Sequence, residues 1–236
     1  LEGLFHPSFF FHSYSCQNGK GTHRAVRALE CALRKVTKNY TQNVWALKMD
    51  VKKFFDAIDH EILLKLLRRR VHDPDMLHLL EHIVRSYTSF QGPGKGIPIG
   101  NLTSQIFANI YLHELDTFAK HTLQAHYYFR YADDTVILHK DPAHLEQLCA
   151  DIKEFLGDRL KLSLHPKKVT IRKSSQGIDF LGYVLLPHYR VLRTTTKQRM
   201  FAKMHSHVEA FNVGKLNATS LDQGLQSYLG ILQHCK

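Results

Sequence analysis

The sequence lacks the features that would indicate a membrane protein, a disulfide-bonded secreted protein or a zinc site. No run approaches the ~18 uninterrupted apolar residues of a membrane helix, and the apolar start, Leu1 to Phe11, is broken by Glu2, His6 and Pro7. The four cysteines include no C-x-x-C pair, and the 17 histidines show no ligand spacing such as H-E-x-x-H. These absences favour a globular protein of the reducing cytoplasm.

Acidic residues are scarce in the last third of the chain. Residues 159–236 contain 13 Lys and Arg against three acids, so they hold +10 of the net charge of +11. A basic surface concentrates phosphate backbones and releases their counterions, which predicts a nucleic-acid contact in this part. A solvated basic face without a partner is the alternative.

Hydrophobic periodicity predicts an α+β fold, a sheet backed by helices, with a loop over 92–100. Helical spacing of apolar residues predicts helices over 22–35, from an N-cap at Asp59, over 76–84, from about Thr103, from Asp141 to Gly157, and over 194–211. Alternation predicts a strand ending near Asp50, a hairpin over 127–139, and strands over 178–186 and 190–193.

Three aspartates lie at the ends of predicted strands, Asp50 after one strand and Asp133 and Asp134 at the hairpin tip. They converge if these strands are neighbours in the sheet. Crowded carboxylates repel each other unless cations neutralise them, and two Mg²⁺ ions ~3.5–4 Å apart would both neutralise them and promote an in-line phosphoryl transfer. Simple turn chemistry is the alternative for the Asp-Asp pair.

Three motifs support the catalytic interpretation. Tyr-Ala-Asp-Asp at 131–134, the stretch Asp-Val-Lys-Lys-Phe-Phe-Asp at 50–56 and Phe-Leu-Gly-Tyr at 180–183 resemble, in order, the signatures of reverse transcriptases. The resemblance implies a palm over 46–186, a ferredoxin-like antiparallel sheet backed by helices. It also implies partial fingers over 1–45 and the start of an incomplete basic thumb over 187–236.

Two further segments narrow the resemblance. Residues 96–105, Gly-Ile-Pro-Ile-Gly-Asn-Leu-Thr-Ser-Gln, and the loop 14–23 are similar to reverse transcriptases of diversity-generating retroelements. Such an enzyme copies a template RNA into cDNA with many errors, using a DNA primer, dNTPs and an accessory protein. The alternatives are a group II intron or phage-defence reverse transcriptase and a catalytically silent nucleic-acid-binding remnant, while an RNA-dependent RNA polymerase is disfavoured.

The resemblance implies roles for the residues around the three acids. Asp50 and Asp133 would hold two Mg²⁺ ions, or Mn²⁺ in their place, with Asp134 and the carbonyl of Val51 completing the shell. A structural role in the hairpin is the alternative for Asp134. Lys168 would protonate the leaving pyrophosphate, and a plain phosphate contact by this lysine or its neighbour is an equal alternative.

The incoming nucleotide would contact Phe55 and Ile99. Phe55 would exclude the 2′-hydroxyl of ribonucleotides, with a place in the core as its alternative; Phe54, facing the other way on a strand, is the better core candidate. Ile99 replaces the Gln of many relatives and lacks its orienting hydrogen bond, which predicts low fidelity.

The remaining predicted contacts involve the template, the nascent pair and the duplex. Gly100 would let the backbone approach the templating base, and Ser104 and Gln105 would begin a helix beside the template. The other expected nucleic-acid contacts are Tyr131, Gly182, Tyr183, Arg193, Lys197, Arg199 and Lys203. The start at Leu indicates a fragment whose upstream fingers strands are missing, so weak activity in isolation is expected.

Overall fold

The computed structural model describes residues 1–235, which divide into two units, Leu1–Arg172 and a second that begins at Lys173. The helices of the first unit are α1 Glu2–Phe5, α2 Thr22–Val36, α3 Phe54–Ala57, α4 His60–Arg68, α5 Pro74–Arg85, α6 Leu102–Thr117 and α7 Pro142–Leu160. Its strands are β1 Trp45–Met49, β2 Tyr127–Tyr131, β3 Asp134–His139 and β4 Thr170–Lys173, the last crossing the boundary.

Side-chain caps fix where the predicted helices begin. Asp59 accepts a hydrogen bond from the backbone N–H of Ile62 at 3.1 Å, and Asp141 accepts one from Ala143 at 2.9 Å. Each bond satisfies an N–H that has no partner inside its own helix. Both caps were predicted, and the structure confirms them.

The four strands form one sheet in the order β2-β3-β1-β4. The helices between β1 and β2, and α7 between β3 and β4, each connect strands that are separated in the sheet by a third strand. Two such interleaved β-α-β units are the ferredoxin-like arrangement. The predicted α+β class, an antiparallel sheet backed by helices, is confirmed.

Both faces of this sheet are covered. Ile137 of β3 belongs to the large core that contains buried residues of α4, α6 and α7. Its neighbours Val136 and Leu138 are also buried but lie outside that core, and α2 packs against β2 and β3. Because successive strand side chains point to opposite faces, α2 covers the face opposite α7.

The structure corrects the predicted end of α7. The helix passes Gly157 and continues to Leu160, where Lys161 takes a left-handed conformation with φ 51°. A glycine inside a helix costs about 1 kcal/mol relative to alanine. Burial of Leu156 and Leu160 on either side of it outweighs that cost.

The second unit contains a three-stranded antiparallel sheet followed by two helices. Its elements are β5 Ile178–Phe180, β6 Tyr183–Leu186, β7 Tyr189–Leu192, α8 Thr194–Asn212 and α9 Ala218–Leu232. The predicted strand over 178–186 is instead two strands, because Leu181 and Gly182 both have positive φ and reverse the chain. Within residues 1–235, no helix has both the length and the apolar content needed to cross a bilayer.

Candidate active site

The strand register brings the predicted aspartates together. β1 and β3 are antiparallel, with Met49 opposite Thr135. Asp50 follows Met49 and Asp134 precedes Thr135, so the next step of this register places Asp50 beside Asp134. Residues 84 apart in sequence thus meet at one end of the sheet.

A two-residue loop holds the third aspartate. Tyr131 pairs with Asp134, leaving Ala132 and Asp133 at the tip of the β2–β3 hairpin. Ala132 has φ 50°, a conformation that is uncommon for a residue with a side chain. The tight loop places Asp133 immediately next to the carboxylate that begins β3.

The charges of the neighbouring carboxylates affect the pKa of Asp133. Burial, the largest cause, and the negative charges of Asp50 and Asp134 together raise this pKa to about 6, against the opposing effects of a backbone hydrogen bond and of Lys168. A buried carboxylate beside two others is stabilised by a nearby cation.

Two lysines contact the carboxylates. Lys168 Nζ lies 2.8 Å from Asp50 Oδ2, and this hydrogen bond raises the pKa of the lysine. Lys48 Nζ lies 3.7 Å from Asp134 Oδ1. Their ammonium groups offset part of the negative charge at the end of the sheet.

Backbone pairing explains how Lys168 reaches Asp50. The segment Asp50–Lys52 pairs with Ser163–His165: the N–H of Lys52 donates to Ser163, and that of His165 donates to the carbonyl of Asp50 at 2.7 Å. A turn closed by the N–H of Lys168 on the His165 carbonyl then directs the lysine back. These bonds use Asp50 and Lys52 rather than the intervening Val51.

The chemistry of the donors suits a hard divalent cation, since carboxylate and carbonyl oxygens are the ligands that Mg²⁺ prefers. Across residues 1–235, however, no three His, Cys, Asp or Glu side chains are already arranged as a metal site. Lysine ammonium groups face two of the three carboxylates instead. The residues fit such a cation by donor type and by charge.

A buried polar network beneath the hairpin was not predicted from the sequence. Arg130 of β2 forms a two-point ion pair with Asp116 of α6, and both side chains are fully buried. Tyr128 donates to the same carboxylate at 2.7 Å, and Arg130 Nη1 donates to the carbonyl of Ala132 at 3.1 Å. An Arg directly before the Tyr-Ala-Asp-Asp motif, in an otherwise apolar strand, was the available signal.

Phe55 follows Asp50 by five residues in the chain but does not lie on a strand as assumed. Residues Phe54–Ala57 form the short helix α3, so the argument from strand alternation was wrong. Phe54 is nevertheless buried and Phe55 only partly so, because successive helical side chains point about 100° apart. The Phe55 carbonyl accepts a hydrogen bond from Ile97 at 2.8 Å, which brings the following loop alongside.

That loop presents an apolar surface. Ile99 is 76% exposed, Gly100 has φ 100°, and Gln105 is exposed in the first turns of α6. Ser104 is instead buried, and its hydroxyl has no hydrogen-bond partner within the described residues. Ile99 and Gln105 are thus accessible to a ligand, whereas the Ser104 side chain is not.

The predicted contacts of the second unit serve its own structure in part. The Arg193 side chain forms an ion pair with Asp179, and the backbone N–H of Arg193 donates to the carbonyl of Gly182 at 2.8 Å. The ring of Tyr183 is buried. On α8, three basic side chains are exposed: Lys197, Arg199 and Lys203.

Solved structures with this fold include two telomerases. The telomerase from Candida albicans in complex with a TWJ fragment of telomeric RNA aligns with 82% of this chain and 36% of its own, at a TM-score of 0.59 and 12% identity. Apo telomerase from Candida tropicalis, truncated from its C-terminal domain, aligns with 77% of this chain and 41% of its own. The TM-score of this alignment is 0.58 and the sequence identity is 13%. The fold is that of the telomerase and reverse-transcriptase class of polymerases.

The chain belongs to the reverse transcriptase family, because the family model described as reverse transcriptase (RNA-dependent DNA polymerase) matches residues 2–185. Protein YkfC of Escherichia coli K12 is 25% identical over 222 residues, covering 79% of this chain and 58% of YkfC. Group II intron-encoded protein LtrA of Lactococcus lactis subsp. cremoris is 25% identical over 268 residues, covering 84% of this chain and 42% of LtrA. The chain therefore spans about half the length of these relatives.

Proposed function

We propose that this chain is the catalytic core of an RNA-templated DNA polymerase, and that it copies a template RNA with low fidelity in a diversity-generating retroelement. The main support is the meeting of Asp50, Asp133 and Asp134 at one sheet end, beside Lys168. In this proposal a primer 3′-hydroxyl attacks the α-phosphate of a dNTP, and pyrophosphate leaves.

The carboxylates provide the negative site for divalent cations. Asp50 and Asp133, with Asp134 and the Val51 carbonyl, would hold two Mg²⁺ ions, which when bound supply Lewis-acid stabilisation of the reacting oxygens. The network of Arg130 and Asp116 holds the backbone next to Asp133 in place, which keeps its carboxylate oriented.

Lys168 has two possible uses in this reaction. Its ion pair with Asp50 places an ammonium group next to the carboxylates, from which it can donate a proton to the leaving pyrophosphate or bind its charge. Replacement by Arg, which keeps the charge but does not release a proton at neutral pH, separates the two uses. Proton donation predicts a large loss in Lys168→Arg, and charge binding predicts a small one.

Ile99 supports the error-prone part of the proposal. Its side chain is exposed two residues after Ile97, whose N–H donates to the Phe55 carbonyl, and it offers contact area but no hydrogen bond to a base pair. One neutral hydrogen bond contributes about 1 kcal/mol, so its absence weakens discrimination between matched and mismatched nucleotides. We also propose an accessory protein of the retroelement as a partner of this chain.

A group II intron reverse transcriptase is the second candidate, favoured by the similarity to LtrA. The two candidates differ in expected accuracy. A misincorporation frequency no higher than that of LtrA, measured in parallel on the same defined RNA template, would favour the intron type. A much higher frequency would favour the diversity-generating type.

The test of the enzyme is primer extension on an RNA template with a DNA primer, dNTPs and Mg²⁺ or Mn²⁺. Extension by the wild type, lost in Asp133→Asn and kept in Asp158→Asn, is the expected result; Asp158 is an exposed aspartate of α7. Binding without extension by the wild type would support a silent remnant. Extension with ribonucleotides alone would contradict the proposal.

A further inference from the structure

A groove lies on the first unit, along the solvent-exposed side of α2. The N-terminal segment around Phe10–Tyr14 and the start of β2 at Tyr127 form its other walls, and its volume is about 790 Å³. We refer to it as the α2 groove. Tyr127 and Tyr131 are the two ends of β2, and Tyr131 is the end beside the carboxylates. At about 3.3 Å per strand residue, the part of the groove at Tyr127 is therefore ~13 Å from the end that holds the carboxylates.

The charges around the α2 groove all have one sign. Arg24, Arg27, Lys35 and Lys120 line it, and no Asp or Glu is among its lining residues. The single acidic residue of α2, Glu30, is not part of the lining. A concave surface with several cations and no anion attracts a polyanion.

Aromatic rings alternate with these cations. Phe11 is 61% exposed, and the ammonium group of Lys120 lies 5.2 Å from the ring centroid of Phe10. Tyr127 adds a partly exposed ring from β2, whereas the ring of Phe129 is buried. Cations for phosphates with ring faces for bases are the combination by which proteins bind single strands without sequence preference.

We propose that the α2 groove binds single-stranded RNA outside the catalytic site, holding a part of the strand that is not being copied. The exposed ring of Phe11 and the partly exposed rings of Phe10 and Tyr127 favour unpaired bases over a duplex, whose bases are already stacked. They also favour a nucleic acid over an acidic polypeptide, which would use the cations but offer no base to stack. The proposal is independent of whether the carboxylates catalyse polymerisation.

Two exposed cysteines allow a direct test on the unmodified chain. Cys31 lines the α2 groove, whereas Cys16 is exposed but lies outside it. A single-stranded RNA 20-mer should slow N-ethylmaleimide labelling of Cys31 and leave Cys16 unchanged, as measured by peptide mass spectrometry. Equal labelling of Cys31 with and without RNA would overturn the proposal.

Variants test the two parts of the surface separately. Phe11→Ala should weaken RNA binding roughly five- to hundred-fold, the range for losing one base–aromatic stack. Arg27→Glu and Lys35→Glu should weaken it and reduce its salt dependence, while Lys153→Glu, the same charge change on α7, should do neither. Fluorescence anisotropy with the labelled 20-mer measures all four variants.

The remaining outcomes separate this proposal from its alternatives. Protection of Cys31 by poly-glutamate as strong as by RNA would assign the groove to an acidic polypeptide and overturn the proposal, as would equal protection by an RNA duplex. In Asp133→Asn, the RNA should protect Cys31 from labelling as strongly as it does in the wild type. Protection without primer extension in the wild type would contradict the polymerase alone, and extension without protection would contradict the α2 groove alone.

Discussion

Arg130 and Asp116 form a two-point ion pair inside the protein, with Nε–Oδ1 and Nη2–Oδ2 distances both of 2.6 Å and no exposure of either side chain. Arg130 belongs to β2, the first strand of the hairpin that carries Asp133, and Asp116 belongs to α6. Through its bond to the carbonyl of Ala132, Arg130 links the loop that contains Asp133 to the helical layer. The position of the loop thus depends on tertiary contacts as well as on the hairpin itself.

Arg130→Met should destabilise the protein strongly, because Asp116 would remain buried without its cation. Breaking a buried pair from one side costs about 3–5 kcal/mol. The free energy of unfolding in urea measures this loss. Arg69→Met is the control: its pair with Glu114 is exposed, so a change below ~1 kcal/mol is expected, and equal effects would contradict the prediction.

Asp133→Asn should remove the stabilising effect of Mg²⁺ without destabilising the metal-free protein. The amide keeps the shape of the side chain and removes a negative charge next to Asp50 and Asp134. A ligand that binds only the folded state raises its stability, so the wild-type Tm should rise on replacing EDTA with MgCl₂. Asp158→Asn should keep that rise, and a rise of the same size in Asp133→Asn would count against metal binding at this residue.

Phe55→Ala should increase the use of ribonucleotides relative to dNTPs, roughly tenfold or more, if the ring excludes the 2′-hydroxyl. Single-nucleotide incorporation kinetics measure the ratio. Phe54→Ala is the matched change in the core, since Phe54 is buried, and it should instead cost about 3–5 kcal/mol of stability. Unchanged sugar discrimination in Phe55→Ala would leave Phe55 as a packing residue.

Ile99→Gln should lower the misincorporation frequency by roughly fivefold, the factor that corresponds to one neutral hydrogen bond. Sequencing of cDNA copied from a defined RNA measures it. Leu102→Gln places the same side chain at an exposed position three residues later and should have no such effect. If Ile99→Gln copies as inaccurately as the wild type, the low fidelity has another cause.

Asp59 should contribute a stability that is lost in acid. Burial raises the pKa of its carboxyl, but hydrogen bonds from Lys161 and from the N–H of Ile62 outweigh this and hold the pKa below the ordinary value of 3.8. Because the pKa of this carboxyl is lower in the folded state than in the unfolded state, its ionised form stabilises the protein at pH values above the unfolded-state pKa. This stabilisation is lost as the pH falls through the folded-state pKa.

Urea unfolding of the wild type and of Asp59→Asn between about pH 6 and 2 tests this contribution. Asn keeps the helix cap but does not titrate, so the stabilities of the two proteins should converge below about pH 4. A difference that is constant over the whole range would show that the carboxylate charge contributes nothing.

The sequence by itself determined the local elements and the types of chemistry. Periodicity, caps and turn residues predicted the helix over 22–35, the cap at Asp59 and the hairpin over 127–139, because these depend on contacts between near neighbours. The motifs identified Asp50, Asp133 and Asp134 as one set. The prediction that the helix ends at Gly157 was wrong, because the cost of a glycine inside the helix is smaller than the stabilisation from the burial of the side chains around it.

Only the tertiary structure decided which distant residues meet. The register of β1 on β3 sets Asp50 beside Asp134, and the pairing of residues 50–52 with 163–165 directs Lys168 to Asp50. The ion pair of Arg130 with Asp116 and the α2 groove likewise join segments far apart in the chain. Such contacts depend on strand order and on the packing of both sheet faces, which arise from burial summed over the whole unit rather than from any local pattern.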